Sequence, residues 1–147
     1  MSRAPRTQID YQAEISDIYA QVESRALERQ CVARTECCRF RLTGRTPMLT
    51  KGEAFYAARG VRASGRKKLP ARDDGACPML GADGRCQIYR HRPFGCRTHF
   101  CTAAGGPYPR KHLADLIRRL DALDERLGGD GPRPIEGAVA DALEERH

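Results

Sequence analysis

Apolar side chains recur with the spacing of a helix near both ends of the chain. Within residues 8–30 they recur at spacings of three and four positions, at Ile15, Ile18, Tyr19 and Val22. Such spacing places the apolar side chains on one face of a helix. Because neither glycine nor proline interrupts this segment, we expect an N-terminal helix over residues 8–30.

Residues 110–127 carry the clearest helical pattern in the chain. The apolar positions of this pattern are Leu113, Leu116, Ile117, Leu120, Leu123 and Leu127. Gly128 and Gly129 follow directly, and glycine commonly ends a helix. Since residues 135–145 are also amphipathic, we expect residues 110–147 to form a C-terminal helical segment.

A third helix is predicted after Thr50, where the sequence reads TKGEAFYAAR. Thr50 and Glu53 have the spacing of a capping box, in which a hydroxyl and a carboxylate satisfy backbone N–H groups at the start of a helix. Gly60 is expected to end this helix. Residues 61–76 are rich in glycine, proline and charged side chains, which predicts a long loop.

Residues 77–108 show no apolar periodicity. Three prolines and five glycines interrupt them, which argues against a long helix, and only the sequence CQIY at residues 86–89 predicts a short strand. A bound metal could supply the order that apolar packing does not. The predicted fold class is mainly α, in a small irregular single domain over residues 1–147. Its centre, residues 31–101, is expected to be a loop-rich, metal-stabilised cysteine-cluster region.

Composition narrows the choice of compartment and of cysteine chemistry. Hydrophobic residues make up 40% of the chain and aromatic residues 6%, with no Trp, so a stabiliser besides the apolar core is expected. There is no apolar run of about 18 residues, the length of a membrane span, and the N-terminal residues are polar. We therefore expect a cytoplasmic protein with no membrane segment. Thiols stay reduced in the cytoplasm, so clustered cysteines favour metal binding or catalysis over disulfides.

Positive charge is concentrated in one part of the chain. The net charge is +7, but residues 39–72 alone carry ten basic and one acidic side chain. A basic stretch of this kind can bind nucleic acid. It lacks the interleaved aromatic residues on which bases stack, so a solvated loop is favoured and nucleic-acid binding stays an alternative.

The seven cysteines are the strongest chemical signal in the sequence. They are Cys31, Cys37, Cys38, Cys77, Cys86, Cys96 and Cys101. Zinc fingers and ribbons present cysteine pairs two to four residues apart, and only Cys96 and Cys101 approach that spacing. A four-thiolate zinc site or a cubane iron–sulfur cluster needs about four of them. Two metal ions that share one thiolate would use all seven, and the sequence leaves these arrangements open.

The order of the cysteine motifs resembles the YkgJ-type cysteine-cluster family, a zinc- or iron-chelating domain. The matching positions run from 31 to 101 and are Cys31, Cys37 and Cys38; Cys77, Pro78 and Leu80; Gly84, Cys86, Ile88 and Tyr89; Arg92, Pro93, Cys96 and Arg97; and Cys101. The resemblance implies that the cysteines hold zinc or iron, with an iron–sulfur cluster among the options.

The chain departs from that family at one cysteine. Arg34 stands where the family has its second cysteine, and Thr35 replaces the glycine that follows. A ligand role for His91 or His99 is open, although a surface position or a place beside the ligands is favoured for both.

The other residues of the motifs have simpler expected roles. Tyr89 and Phe94 are expected in the core, and Pro78 and Pro93 are expected to fix turns. The arginines at 92 and 97 either donate hydrogen bonds to sulfur or are solvated.

The predicted function is metal binding, with the metal ion as one partner and an unidentified protein as another. One alternative is a metal-dependent enzyme or enzyme accessory, redox or protein-modifying, because a similar cysteine cluster occurs in flagellin lysine methylases. The chain has no Gly-rich nucleotide loop and no C-x2-C beside a βαβ unit, so enzymatic activity stays undecided. A metal-stabilised nucleic-acid binder is the third hypothesis.

Overall fold

Helices form most of the chain that the structure, a computed structural model, describes. The described residues are 10–25, 47–69, 76–81, 86–98 and 109–145. In chain order the elements are α1 (Tyr11–Arg25), β1 (Met48–Leu49), α2 (Lys51–Ala63), a 3-10 turn (Tyr89–His91), α3 (Phe94–Thr98), a second 3-10 turn (Arg110–His112), α4 (Ala114–Arg126), β2 (Arg133–Pro134) and α5 (Ile135–Glu144). The prediction of a mainly α fold is confirmed. Metal stabilisation of the centre and the boundaries of the predicted regions stay predictions.

Helix α1 buries the apolar stripe that its sequence predicts. The side chains of Ile15, Ile18, Tyr19 and Val22 are all buried in the core. The backbone N–H of Ala13 donates to a carboxylate oxygen of Asp10 at 3.0 Å, a contact that satisfies one of the open donors at the start of the helix. Residues 8–9 and 26–30 of the predicted helix lie outside the described residues.

The C-terminal helices also follow the predicted pattern. Helix α4 buries Leu116, Leu120 and Leu123, while the flanking Leu113 and Leu127 are 1% exposed. Residues 110–112 form a 3-10 turn, so the α-helix begins later than the periodicity predicts. Helix α5 is present as predicted, and its apolar face packs on α2.

Helix α2 is central, because it packs against α1, α4 and α5. Ala57 and Ala58 are completely buried there, and small side chains of this kind let neighbouring elements approach closely. Thr50 precedes the helix, and its backbone N–H lies 3.4 Å from the Glu53 carboxylate. The predicted capping box is therefore confirmed at the start of α2.

The predicted end of α2 at Gly60 is wrong. The helix continues through Gly60 to Ala63, and a glycine with a positive φ of 89°, Gly65, follows it. A Cβ at Gly60 would lie 2.9 Å from both Cβ and Cγ of His91. The glycine gives His91 room against the helix rather than ending it. The loop predicted over 61–76 therefore starts later, and its residues 70–75 lie outside the described ranges.

A short antiparallel ribbon packs against the helices α2, α3 and α5. Strand β1 pairs with β2, with Met48 opposite Pro134. Asp124, which is 4% exposed, accepts hydrogen bonds from the N–H of Lys51 at 2.8 Å and from the N–H of Gly131 at 2.9 Å. This buried carboxylate ties the first residue of α2 to the loop between α4 and β2.

The segment 77–108 is described only at 77–81 and 86–98, and there it contains no long helix, as predicted. Within 76–81 and 86–98 the longest helix is the five-residue α3. The strand predicted at 86–89 is reduced to one antiparallel bridge between Cys86 and Leu80, because Tyr89 already begins a 3-10 turn. Tyr89 is 51% exposed rather than in the core, with the Arg92 guanidinium 3.9 Å above its ring. Phe94 is buried as predicted.

The contact between Gly60 and His91 predicts opposite effects of alanine at two helical glycines. Gly60→Ala should lower the free energy of unfolding by about 1–3 kcal/mol, because the new methyl group overlaps His91. Gly137→Ala in α5 should raise it by about 0.5–1 kcal/mol, because its nearest neighbour is the end of Arg133 at 3.6 Å. Urea denaturation of both variants checks this. If both variants are stabilised equally, His91 does not need the space that the missing side chain of Gly60 leaves.

Candidate metal centre

Three of the seven cysteines lie in the described residues. Cys77, Cys86 and Cys96 are all present as thiols. Cys77 is 4% exposed and Cys96 is 8% exposed, while Cys86 is partly buried against the apolar core. Outside the described residues lie Cys31, Cys37, Cys38, Cys101 and His99.

Cys77 begins a tight turn, and Cys86 lies on a second stretch of backbone that pairs with this turn. The N–H of Leu80 donates to the carbonyl oxygen of Cys77 at 2.9 Å, and Leu80 pairs with Cys86 across the antiparallel bridge. A second bond runs from the N–H of Gln87 to the carbonyl oxygen of Met79 at 2.8 Å. Pro78 lies inside this turn, as its sequence position predicts. The two cysteines therefore belong to one local unit.

The third described cysteine, Cys96, lies on the short helix α3. Its N–H and that of Arg97 both donate to the carbonyl oxygen of Pro93 at 3.0 Å. The N–H of Phe94, at the start of the helix, donates to a carboxylate oxygen of Glu53 at 2.6 Å. Backbone hydrogen bonds therefore hold the residues before and after Cys96.

Glu53 is a buried carboxylate that joins three parts of the fold. It is 2% exposed. One oxygen accepts from the N–H and the hydroxyl of Thr50 at 3.4 and 3.2 Å, and the other accepts from Phe94 and from the Tyr19 hydroxyl, the latter at 2.9 Å. Burial raises the pKa of Glu53, while these hydrogen bonds oppose the rise. The capping-box pattern predicted its role in α2 but not its bond to the cysteine-bearing segment.

Arg97 is a buried cation that binds the backbone a few residues before Cys96. Its Nε donates to the carbonyl oxygen of Arg92 at 2.7 Å, and one terminal nitrogen donates to that of Arg90 at 2.6 Å. The other terminal nitrogen donates to the carboxylate of Glu23 on α1 at 2.6 Å. The side chain is 7% exposed, so the solvated alternative for Arg97 is wrong.

Arg92 and Arg97 donate hydrogen bonds to oxygen atoms, whereas one of the two predictions was that they donate to sulfur. The Arg92 Nε donates to the carbonyl oxygen of Tyr89 at 3.0 Å, and Arg97 bonds to backbone oxygens and to Glu23. These arginines organise the backbone around the cysteine. The sequence RPFGCR at residues 92–97 does not by itself predict that the arginines bind the backbone. An arginine next to a buried cysteine is compatible with this role.

Tyr19 contacts both the buried carboxylate of Glu53 and the buried guanidinium group of Arg97. Its hydroxyl donates to Glu53, and the Arg97 guanidinium carbon lies 4.1 Å from the centre of its ring. Burial raises the pKa of Tyr19, and the negative charge of Glu53 and its hydrogen bond raise it further, while Arg97 opposes them. The sequence pattern placed Tyr19 in the core and gave no sign of these polar contacts.

His91 is packed against helix α2. Its ring centre lies 4.8 Å from that of Tyr56, and the side chain occupies the space left at Gly60. Burial, together with the charges of Arg97 and Arg59, lowers the pKa of His91.

The described residues alone do not complete a metal site. Within the described ranges, no three His, Cys, Asp or Glu side chains come together as a possible metal site. Thiols are donors that suit zinc and iron–sulfur clusters, so the donor chemistry of the three described cysteines fits the predicted metals. A site with three or more ligands would need cysteines from outside the described ranges.

The lowered pKa of His91 predicts a pH dependence of stability. Unfolded His91 takes up a proton near its usual pKa of 6.5, whereas the folded side chain stays neutral to lower pH. The stabilisation from neutral His91 is therefore present above pH 6.5 and is lost as the pH falls through the folded pKa. Urea denaturation between pH 7.5 and about 5 should show a smaller loss of stability in His91→Gln than in the wild type. Identical pH profiles for the wild type and His91→Gln would contradict the assignment to His91.

Comparison with known proteins agrees with the cysteine pattern. A family model described as "CxxCxxCC: Putative zinc- or iron-chelating domain" matches residues 28–115, a range that contains all seven cysteines. No curated protein and no solved structure matches the chain. Every helix in the described residues is too short or too polar to span a bilayer. Since the match covers more than half of the chain, this protein belongs to the CxxCxxCC family of zinc- or iron-chelating domains.

Proposed function

We propose that this protein binds zinc or iron through the thiolates of its clustered cysteines. The observation that carries the proposal is the family match over residues 28–115. The proposed ligands are drawn from Cys31, Cys37, Cys38, Cys77, Cys86, Cys96 and Cys101. Metal binding would explain why the chain devotes seven residues to cysteine.

The packing of the described cysteines supports this function. Cys77 begins a tight turn against the core, Cys86 pairs with Leu80 of that turn, and Cys96 lies on a helix held by Glu53 and Arg97. A ligand on a fixed backbone loses less conformational freedom when it binds a metal than a ligand on a mobile loop. Order of this kind favours metal binding at a defined geometry.

The charges near the described cysteines also support thiolate ligation. Only the thiolate form of cysteine binds a metal, so each ligand adds a negative charge. The residues from 86 to 98 contain three arginines and no acidic residue. Their positive charge would offset part of the thiolate charge.

Zinc and an iron–sulfur cluster are the two forms of the metal centre that the donor set suits. A tetrahedral zinc site or a cubane cluster would use about four of the seven thiolates. We propose a structural contribution in either case, because the regular structure of residues 76–81 and 86–98 is limited to one isolated bridge, one 3-10 turn and the five-residue α3. A metal would link these short elements. A cytoplasmic location and a protein partner stay predictions, while enzymatic activity and nucleic-acid binding stay alternatives.

Metal content and colour test the proposed function together. Protein purified without oxygen should contain zinc or iron in stoichiometric amount. Visible absorbance with iron would identify an iron–sulfur cluster, and a colourless protein with zinc would identify a zinc site. Cys96→Ser should lower the metal content because it removes a proposed ligand.

A neighbouring apolar substitution is the control for the cysteine variant. Met79 is 3% exposed and lies in the turn between Cys77 and Leu80. Met79→Leu keeps the volume of the side chain and should keep the wild-type metal content. Wild-type protein without zinc or iron would refute the function, and full metal content in Cys96→Ser would remove Cys96 from the ligands.

A further inference from the structure

A buried carboxylate and a buried guanidinium group both contact the same tyrosine, one at its hydroxyl and the other over its ring. Glu53 is 2% exposed and Arg97 is 7% exposed. Glu53 accepts a hydrogen bond from the hydroxyl of Tyr19 at 2.9 Å, and the Arg97 guanidinium lies 4.1 Å from the centre of the same ring. Burial of charged groups costs several kcal/mol per ion, and hydrogen bonds must offset it. Such an arrangement calls for an explanation beyond apolar packing.

Both charges contact the backbone that carries Cys96. The N–H of Phe94, two residues before Cys96, donates to Glu53 at 2.6 Å. Arg97, the residue after it, donates to the carbonyl oxygens of Arg90 and Arg92. The segment from residue 90 to residue 97 is thus held from its start and from its end.

Both charges also connect this segment to the long helices. Glu53 belongs to α2 and binds Tyr19 of α1, and Arg97 donates to Glu23 of α1 at 2.6 Å. The position of Cys96 relative to α1 and α2 therefore depends on three side chains. Thiolate ligands must lie within about 0.2 Å of their metal distances, so a shift of this segment would weaken a bound metal.

We infer that Tyr19, Glu53 and Arg97 are positioning residues that hold Cys96 for metal binding. We call these three side chains the Cys96 clamp. The inference rests on the proposed function, because Cys96 is a ligand only if the protein binds metal through its cysteines. Residues that orient metal ligands typically change metal affinity by about 10- to 100-fold when they are mutated.

Three conservative substitutions weaken the clamp at different points. Tyr19→Phe removes the hydroxyl and keeps the ring beneath Arg97. Glu53→Gln keeps the shape of the side chain but replaces one acceptor oxygen by a donor group. Arg97→Lys keeps the positive charge and loses the planar fork that reaches three acceptors.

A matched control uses another arginine that binds α1. Arg119 donates to Glu14 at 3.1 Å and to Asp17 at 2.8 Å, and it belongs to α4 rather than to the segment of Cys96. Arg119→Lys weakens a different set of contacts between a guanidinium group and this helix, away from the segment of Cys96. It should leave the metal affinity unchanged.

Competition with a chromophoric chelator measures the affinity of the full-length protein for Zn²⁺. Each clamp variant should release Zn²⁺ at a lower chelator concentration, with an affinity about 10- to 100-fold weaker than that of the wild type. Wild-type affinity in all three variants would overturn the clamp and leave the proposed function intact.

The reactivity of two buried thiols separates positioning from general loss of stability. Cys96 and Cys77 are both less than 10% exposed, but only Cys96 lies on the clamped segment. Alkylation of the purified full-length protein, followed by peptide mass spectrometry, should be faster at Cys96 relative to Cys77 in every clamp variant than in the wild type. An equal increase at both thiols would show a merely structural role and overturn the inference.

Failure of the proposed function has a different signature. Wild-type protein with no affinity for Zn²⁺ and no bound iron would refute the proposed function and, with it, the role of the clamp in metal binding. The ratio of alkylation rates at Cys96 and Cys77 would still decide whether the three side chains position the thiol.

Discussion

The buried carboxylate of Glu53 is the interaction on which the other parts of the site depend. Its oxygens accept from Tyr19 of α1, from Thr50 at the start of α2 and from Phe94 at the start of α3. Each donor comes from a different segment, so one side chain sets how three segments meet. Loss of a partner from a buried polar group costs about 1–3 kcal/mol, which makes any other arrangement of these segments costly. The backbone before Cys96 is fixed through this carboxylate.

Two buried carboxylates, Glu53 of α2 itself and Asp124 of α4, connect α2 to its neighbours. Glu53 lies toward α1 and α3, while Asp124 binds the N–H of Lys51 from the side of α4. Both bonds satisfy donors that the first turn of a helix leaves open. The helical part of the molecule thereby forms a support for the segments that carry Cys77, Cys86 and Cys96.

Local patterns in the sequence predict the helices but not their tertiary contacts. The stripes of α1 and α4 are visible in the sequence because each helix has one face in the core. Gly60 was misinterpreted since its local signal is that of a helix end, whereas its role depends on His91, which is 31 positions away in the chain. Tyr89 was misplaced for a similar reason, because Arg92 covers its ring at the surface.

The sequence predicts which cysteines belong to the candidate site, but it does not predict which side chains surround them. The order of the motifs pointed to a metal-chelating family, and the family match agrees. The roles of Tyr19, Glu53 and Arg97 required the structure, because a helix stripe, a capping box and a basic motif each explain one of them separately. Only their distances show that they act on the same segment.

Thiolate ligation of the metal is the central claim, and X-ray absorption spectroscopy at the metal edge of the purified protein tests it most directly. For zinc, a nearest shell dominated by sulfur at about 2.3 Å is predicted. For iron, the nearest shell should likewise be sulfur. A nearest shell of only nitrogen and oxygen at about 2.0–2.2 Å would contradict ligation by the cysteines.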